Sequence, residues 1–297
     1  MHHLPISAEE AAQRLRGIAL ICLAMILFSL LDTSAKFASA YVPTLEVVWA
    51  RYAFSVVFAV VFLRSWARPA DYLTRRPFMQ TLRAVFLLAS TALNFLAIRY
   101  LQLAETAAIT FAAPLLVTAL SGPILGEWPG PRRWAAVAVG FVGVLIIVQP
   151  EPGAFQPAAL YSVAAAFCYA GYALTTRTLS ATETPAGMLV YGSLLAVVVL
   201  TPALPAVGEV PPDWLVAAAL VATGLFAAIG HFCLIHANRL APAPVLAPFQ
   251  YTQILWMPLL GYVVFNDVPG LSTLIGAAVV VASGLYILYR ERVHRDR

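Results

Sequence analysis

"NFLAIRYLQLAE", residues 94–105, returns 137 positions later as "HFCLIHANRLAP", residues 231–242. The match pairs Asn94 with His231, Phe95 with Phe232 and Leu103-Ala104 with Leu240-Ala241. Two further matches have almost the same offset. "EWPG" (127–130) returns as "DVPG" (267–270) at 140, and "FSLLDTSAK" (28–36) as "YAGYALTTR" (169–177) at 141, which sets Lys36 opposite Arg177. Each match is weak by itself, but all three divide the chain into the same two halves.

Composition says what the halves are made of. Hydrophobic residues make up 61% of the chain, charged residues 11%, and the mean hydropathy is +0.83. Soluble domains hold roughly a quarter charged residues, so this chain is built for lipid. Apolar runs near twenty residues, each able to cross a hydrocarbon core of about 30 Å, recur along the whole length. Ten spans fit, at 17–39, 44–63, 80–99, 104–124, 132–149, 156–176, 186–206, 213–235, 243–264 and 270–289. The expected fold class is an all-α integral membrane protein whose ten transmembrane helices form two inverted five-helix repeats. Residues 1–16 read as a cytoplasmic N-terminal tail, 17–150 and 151–290 as the repeats, and 291–297 as a cytoplasmic tail. In the first tail, Ser7 and Glu10 have the spacing of a capping box for a short interfacial helix. The first span lacks a small-residue cleavage site and is too long for a secretory leader, so it reads as retained.

Five spans per half is an odd number, so the second half enters the membrane from the other side. Arginine agrees. The chain has one lysine and seventeen arginines, and fifteen of the arginines fall in or beside alternate loops and tails: 14 and 16; 64, 68, 75, 76 and 83; 132 and 133; 177; 239; and 290, 292, 295 and 297. The positive-inside rule then puts both termini in the cytoplasm. The net charge of +4 is accounted for by topology and leaves no footprint for nucleic acid.

The block "LAETAAITFAAPLLVTALSGPILGEWPGPRRW" (103–134) and its counterpart "LAPAPVLAPFQYTQILWMPLLGYVVFNDVPG" (240–270) resemble the EamA-type transporters of the drug/metabolite transporter superfamily, among them its exporters of aromatic amino acids and other metabolites. The resemblance covers nearly all of residues 17–290. It implies two inverted five-helix repeats, terminal helices packed at the back, and a central cavity lined by spans 1, 3, 4, 6, 8 and 9. "NDVPG" departs from the Gly-Glu usual at that place, which weakens any functional role for Asp267.

Charges inside a bilayer are expensive, about 2.5 to 3.5 kcal/mol at the centre of a helix, and so mark candidate sites. Asp32 and Lys36 stand four apart on one helix face and can pair near its outer end, with a place in the substrate cavity as the alternative for Asp32. Glu46 suits the N-terminus of span 2. Arg51 lies deeper, a cavity candidate with Asp32 as its expected partner. Arg99 and Glu105 bracket a short turn and read as a local pair.

Asn94 and His231, placed at mirrored depths by the repeat, are the leading cavity candidates, and histidine can carry a proton near neutral pH. Gln250, Tyr251 and Gln253 add uncharged hydrogen-bonding groups, while Tyr169, Tyr172 and Trp256 add aromatic faces. Prolines crowd spans 4 and 9, with Pro114 and Pro248 the expected helix breaks. Interrupted helices in matching places of two halves point to a transporter's binding site.

Enzyme chemistry finds no support. There is no H-E-x-x-H and no G-x-S-x-G, and Lys36 has no glycine-rich loop before it, so a Walker A site is excluded. Cys22, Cys168 and Cys233 have no metal-ligand spacing, and no metal or other cofactor is expected. The leading expectation is a gradient-driven or facilitative exporter of amino-acid-type metabolites in a bacterial inner membrane. Its partners would be a small-molecule substrate, the lipid bilayer and, as candidate coupling ion, protons. A monomer suffices for that activity, and the sequence leaves the oligomeric state open. An importer of a vitamin or nucleoside-type compound is the alternative, and a non-transporting scaffold or sensor the rival from another class.

Overall fold

A computed structural model describes residues 8–63, 74–126, 128–149, 156–180, 182–241 and 243–295. Ser7, Arg64, Arg68, Glu127, Pro242 and Arg297, which entered the sequence reading, lie outside these residues. The first repeat consists of α1 (Ala8–Ser39), α2 (Thr44–Leu63), α3 (Pro77–Tyr100), α4 (Leu103–Thr110), α5 (Ala113–Leu125) and α6 (Pro131–Val148). The second consists of α7 (Ala159–Leu179), α8 (Pro185–Leu200), a 3₁₀ turn (Thr201–Ala203) with α9 (Leu204–Val207), α10 (Trp214–Leu240), α11 (Ala243–Gln250), α12 (Gln253–Phe265) and α13 (Leu271–Arg295). With α4–α5, α8–α9 and α11–α12 each counted as one crossing, these are the ten transmembrane helices of two inverted repeats. Residues 8–16 are the first turns of α1, not a separate interfacial helix.

Local signals place the ends. Pro77, Pro131 and Pro185 open α3, α6 and α8, where the missing N–H would have had no intrahelical partner. The Asp213 carboxylate accepts from the N–H groups of Leu215 and Val216 and caps α10. Eight of the crossings are long and apolar enough to be recognised by length and composition. The other two are α7, which carries Tyr169, Tyr172 and a run of threonines, and the divided crossing α11–α12.

Spans 4 and 9 break at equivalent places. Helix α4 stops before Phe111 and Ala112, and α11 before Tyr251 and Thr252, 140 residues on. Both breaks tighten into i→i+3 bonds: Ala112 N–H to the Ile109 carbonyl at 3.0 Å, and Thr252 N–H to the Phe249 carbonyl at 3.1 Å. Pro114 sits just beyond the first break and Pro248 just before the second, and each removes an N–H that a continuous helix would need. The rings of Phe111 and Tyr251 pack on each other, centroids 5.2 Å apart, so the repeat axis runs between the breaks. The equivalence extends to the helix ends, where Gly126 (φ 75°) and Asn266 (φ 56°) take the left-handed conformation after α5 and α12.

Packing repeats the inversion. Helix α1 lies along α10, α3 lies along α7, and α6 pairs with α13 at the back. The α6–α13 approach needs small residues: a Cβ on Gly276 would stand 2.6 Å from the Gly143 carbonyl oxygen and collide with Ile147. Replacing Gly276 with Leu is therefore expected to destabilise the purified protein by about 1 to 3 kcal/mol, the usual cost of overpacking. Thermal unfolding in detergent checks this, and ligand binding by the folded fraction should not change, because neither helix lines the cavity described next.

Candidate substrate cavity

The molecule has two faces. Both described chain ends and residues 182–184 lie at one, here the terminal face; the turns at 40–43, 101–102 and 266–270 lie at the other, the first-loop face. A central cavity of about 400 Å³ lies between the repeats. That volume is within the range, about 300 to 1,000 Å³, of pockets that enclose small organic ligands. Spans 1, 2, 3, 4, 6, 8 and 9 all contribute to its wall, one span more than the family resemblance implied.

At the first-loop face the cavity is closed. Lys36 Nζ donates to the Leu101 carbonyl at 2.9 Å, pairs with Asp267 Oδ2 at 2.6 Å, and stands over the Phe265 ring 4.8 Å from its centroid. Gln102 Nε2 adds a bond to the Val268 carbonyl at 3.2 Å. One lysine thus ties the end of α1 to the α3–α4 turn and to the end of α12. This corrects two expectations: Lys36 pairs with Asp267, not Asp32, and Asp267 has a specific partner despite its departure from the family pattern. Towards the terminal face the wall residues Asn238 and Gln250 are exposed, so the cavity opens there.

Within the cavity, Asn94 Nδ2 donates to Asp32 Oδ1 at 3.2 Å, joining α3 to α1. His231, on α10, meets the ring of Phe28 edge-on at 5.0 Å and shares the cavity wall with Arg51. Both mirrored residues therefore line one space. Tyr169 and Tyr172, on α7, face it with ring centroids 5.6 Å apart, and Gln250 and Gln253 face it from the two sides of the α11–α12 break.

Tyr251 and Trp256 do not line it. Tyr251 is turned toward α13, where its hydroxyl occupies the space a side chain at Gly284 would need. Gln253 and Met257, four apart, hold the inner face of α12, which leaves Trp256 off that face. Arg99 also departs from expectation: it donates to Thr44 Oγ1 at 3.5 Å and makes no ion pair with Glu105. Glu46 accepts from the Glu209 N–H at 2.9 Å, a structural role.

Arg83 was counted with the loop arginines, yet it lies inside α3 and is 4% exposed. Its three guanidinium nitrogens donate to Thr176 Oγ1 (2.7 Å), the Met188 carbonyl (2.9 Å) and the Tyr172 hydroxyl (3.1 Å). It is a positioning residue that fixes the Tyr172 ring against the cavity. The start of α3 at Pro77 was the available signal, since it places Arg83 nearly two turns inside the helix.

Two inverted five-helix repeats around a central cavity are the architecture of a membrane transporter. The profile of the EamA-like transporter family matches residues 15–149 and 156–289, and the chain belongs to that family. Among its relatives are an S-adenosylmethionine uptake transporter of Rickettsia prowazekii (26% identical over 278 residues, 94% of each chain) and a riboflavin transporter of Vibrio cholerae (29% over 285 residues, 93% of this chain and 94% of that one). A pseudopaline exporter of Pseudomonas aeruginosa is 26% identical over 270 residues, 90% of this chain and 94% of its own. A solved crystal structure superposes with a TM-score of 0.60 over 95% of this chain and 99% of its own at 20% identity, which shows the fold alone. The chain is thus a multi-pass transporter of small metabolites. The expected amino-acid export finds no support among these relatives.

Replacing Asn94 or His231 with Ala is expected to lower substrate flux about five- to a hundredfold, because an unpaired buried group costs about 1 to 3 kcal/mol. Folded protein in the membrane should stay near its normal level, since a lost interhelical partner costs about 0.6 kcal/mol. Flux per folded molecule in proteoliposomes decides it; wild-type flux from both variants would show that the two residues only pack.

Proposed function

We propose that this protein imports a heterocyclic metabolite of the nucleoside or vitamin type across a bacterial inner membrane, with its terminal face in the cytoplasm. The observation that carries the reading is the cavity wall: aromatic faces from Tyr169 and Tyr172 on one helix, amide groups from Gln250 and Gln253 at a helix break, and the polar pair Asp32–Asn94 opposite. A planar ring system needs such flat apolar surface together with a few fixed hydrogen-bonding groups. Two kinds of relative, named for S-adenosylmethionine and for riboflavin, carry substrates that contain one.

Without a nucleotide-binding loop, transport draws on a gradient of the substrate or of a coupling ion. In this orientation the cavity is open to the cytoplasm and sealed outside by Lys36–Asp267. That is the state in which an importer releases its cargo, and the opposite state follows by exchanging the roles of the two halves.

Two measurements test the reading. Reporter fusions after Arg76, Arg133, Arg239 and Arg297 should report cytoplasm, and fusions after Val42, Gln156, Gly208 and Pro269 the outside; a well-expressed fusion on the wrong side overturns the orientation. Proteoliposomes should accumulate radiolabelled adenosyl compounds or riboflavin above empty vesicles. Saturable efflux without uptake, in oriented vesicles, would favour export of the kind that the pseudopaline relative is named for, and no flux in either direction would favour the scaffold reading.

A further inference from the structure

Two arginines are buried in the membrane-spanning region near the cavity, and they differ in one respect. Arg83 has all three nitrogens hydrogen-bonded. Arg51, on α2, is 8% exposed, yet its Nε is buried with no hydrogen-bond partner. Among the described residues no acid lies within 4.0 Å of it, the one such ion pair being Lys36–Asp267. The ring of its neighbour Tyr52 stands 4.5 Å from Cζ.

A guanidinium held this way inside a membrane is costly unless something supplies its counter-charge. Arg51 stands in the wall shared by the central cavity and a lateral cavity of about 290 Å³ between α2, α3, α8 and α10. The lateral cavity brings it no acid: apart from Arg51 and His231, every residue of its wall is uncharged. The central cavity brings Asp32, which shares its wall with Arg51 but lies beyond ion-pair distance. Asp32 instead takes a hydrogen bond from Asn94. Arg51 and Asp32 thus face one cavity from neighbouring helices without forming an ion pair.

We propose that Arg51 and Asp32 form a two-point subsite for a zwitterionic α-amino-acid head, the carboxylate on Arg51 and the ammonium on Asp32. The planar guanidinium presents parallel N–H donors that match a carboxylate in bidentate fashion, which a compact lysine ammonium does not. Asn94 fixes the Asp32 carboxylate so that it can receive an ammonium. This inference rests on the proposed import of a heterocycle and narrows it: the cargo carries its ring system at Tyr169 and Tyr172 and an amino-acid tail at Arg51 and Asp32.

The test uses full-length protein in detergent and two probes that differ in the head alone: S-adenosylhomocysteine, which carries it, and 5′-methylthioadenosine, which lacks it. Calorimetric or thermal-shift titration should find the headed compound bound at least tenfold more tightly by the wild type. Arg51→Gln should weaken the headed compound ten- to a hundredfold and the headless one less than threefold, and Asp32→Asn should act likewise. Arg51→Lys keeps the charge and should keep part of the preference, which preserves the test if Arg51→Gln fails to fold.

Equal binding of the two probes by the wild type overturns the subsite, as does an Arg51 variant that weakens both probes equally. Riboflavin bound tightly with no response to either adenosyl probe leaves the import reading standing and overturns the subsite. Arg51-dependent binding of methionine, with no heterocycle bound, supports the subsite and removes the heterocycle reading.

Discussion

Hydrocarbon offers no hydrogen bonds, so each polar atom placed inside the membrane either finds a partner within the protein or is held for something that arrives. That constraint sorts the interior of this molecule. At the two helix breaks tightened turns meet the Ile109 and Phe249 carbonyls, and the Thr252 hydroxyl adds a bond to the Phe249 carbonyl at 2.6 Å. Arg83 is met by three acceptors. Arg51 is the charged group the structure leaves waiting, and it stands where two cavities touch. The same accounting explains why α7 is less apolar than most of the crossings. Tyr169 and Tyr172 face the cavity, and Tyr172 and Thr176 accept from Arg83.

Much of this was legible in the sequence because the membrane makes the pattern coarse. Twenty-residue apolar runs, alternating arginines and a repeat near 140 residues fix ten spans and their inversion before any contact is known. The proline-rich spans 4 and 9 do break, near Pro114 and Pro248, because a missing N–H acts locally. The mirrored pair Asn94 and His231 does share a cavity.

Finer placement failed where local spacing had to stand in for three-dimensional neighbours. The i,i+4 rule offered Lys36 the acid at Asp32, but Lys36 sits one turn nearer the membrane face, where the end of α12 supplies Asp267 from 231 residues away. Tyr251 and Trp256 were misjudged because the turn at 251–252 resets the helical phase, so the inner face of α12 begins afresh at Gln253. Arg83 was lost in a cluster of loop arginines because the boundary of span 3 was drawn three residues too late; the helix opens at Pro77. In each case the error is one of register, not of element.

The seal at the first-loop face must also be breakable, and its make-up bears on that. It consists of one ion pair whose side chains keep 14% and 24% of their surface, one charge-assisted bond to the Leu101 carbonyl, and one amide bond from Gln102. Hydrogen bonds of these kinds contribute a net of about 0.5 to 3 kcal/mol each, and a partly exposed ion pair lies toward the low end, about 1 kcal/mol or less. The sum is a few kcal/mol. A gap of that size leaves the opposite state a minor but accessible population, about 0.1 to 10%. A fully buried ion pair at the same place would demand several kcal/mol to separate. By keeping Lys36 and Asp267 at the rim, the structure places the bond that must break where water can replace it, while Arg51 stands deeper, in the wall of the central cavity.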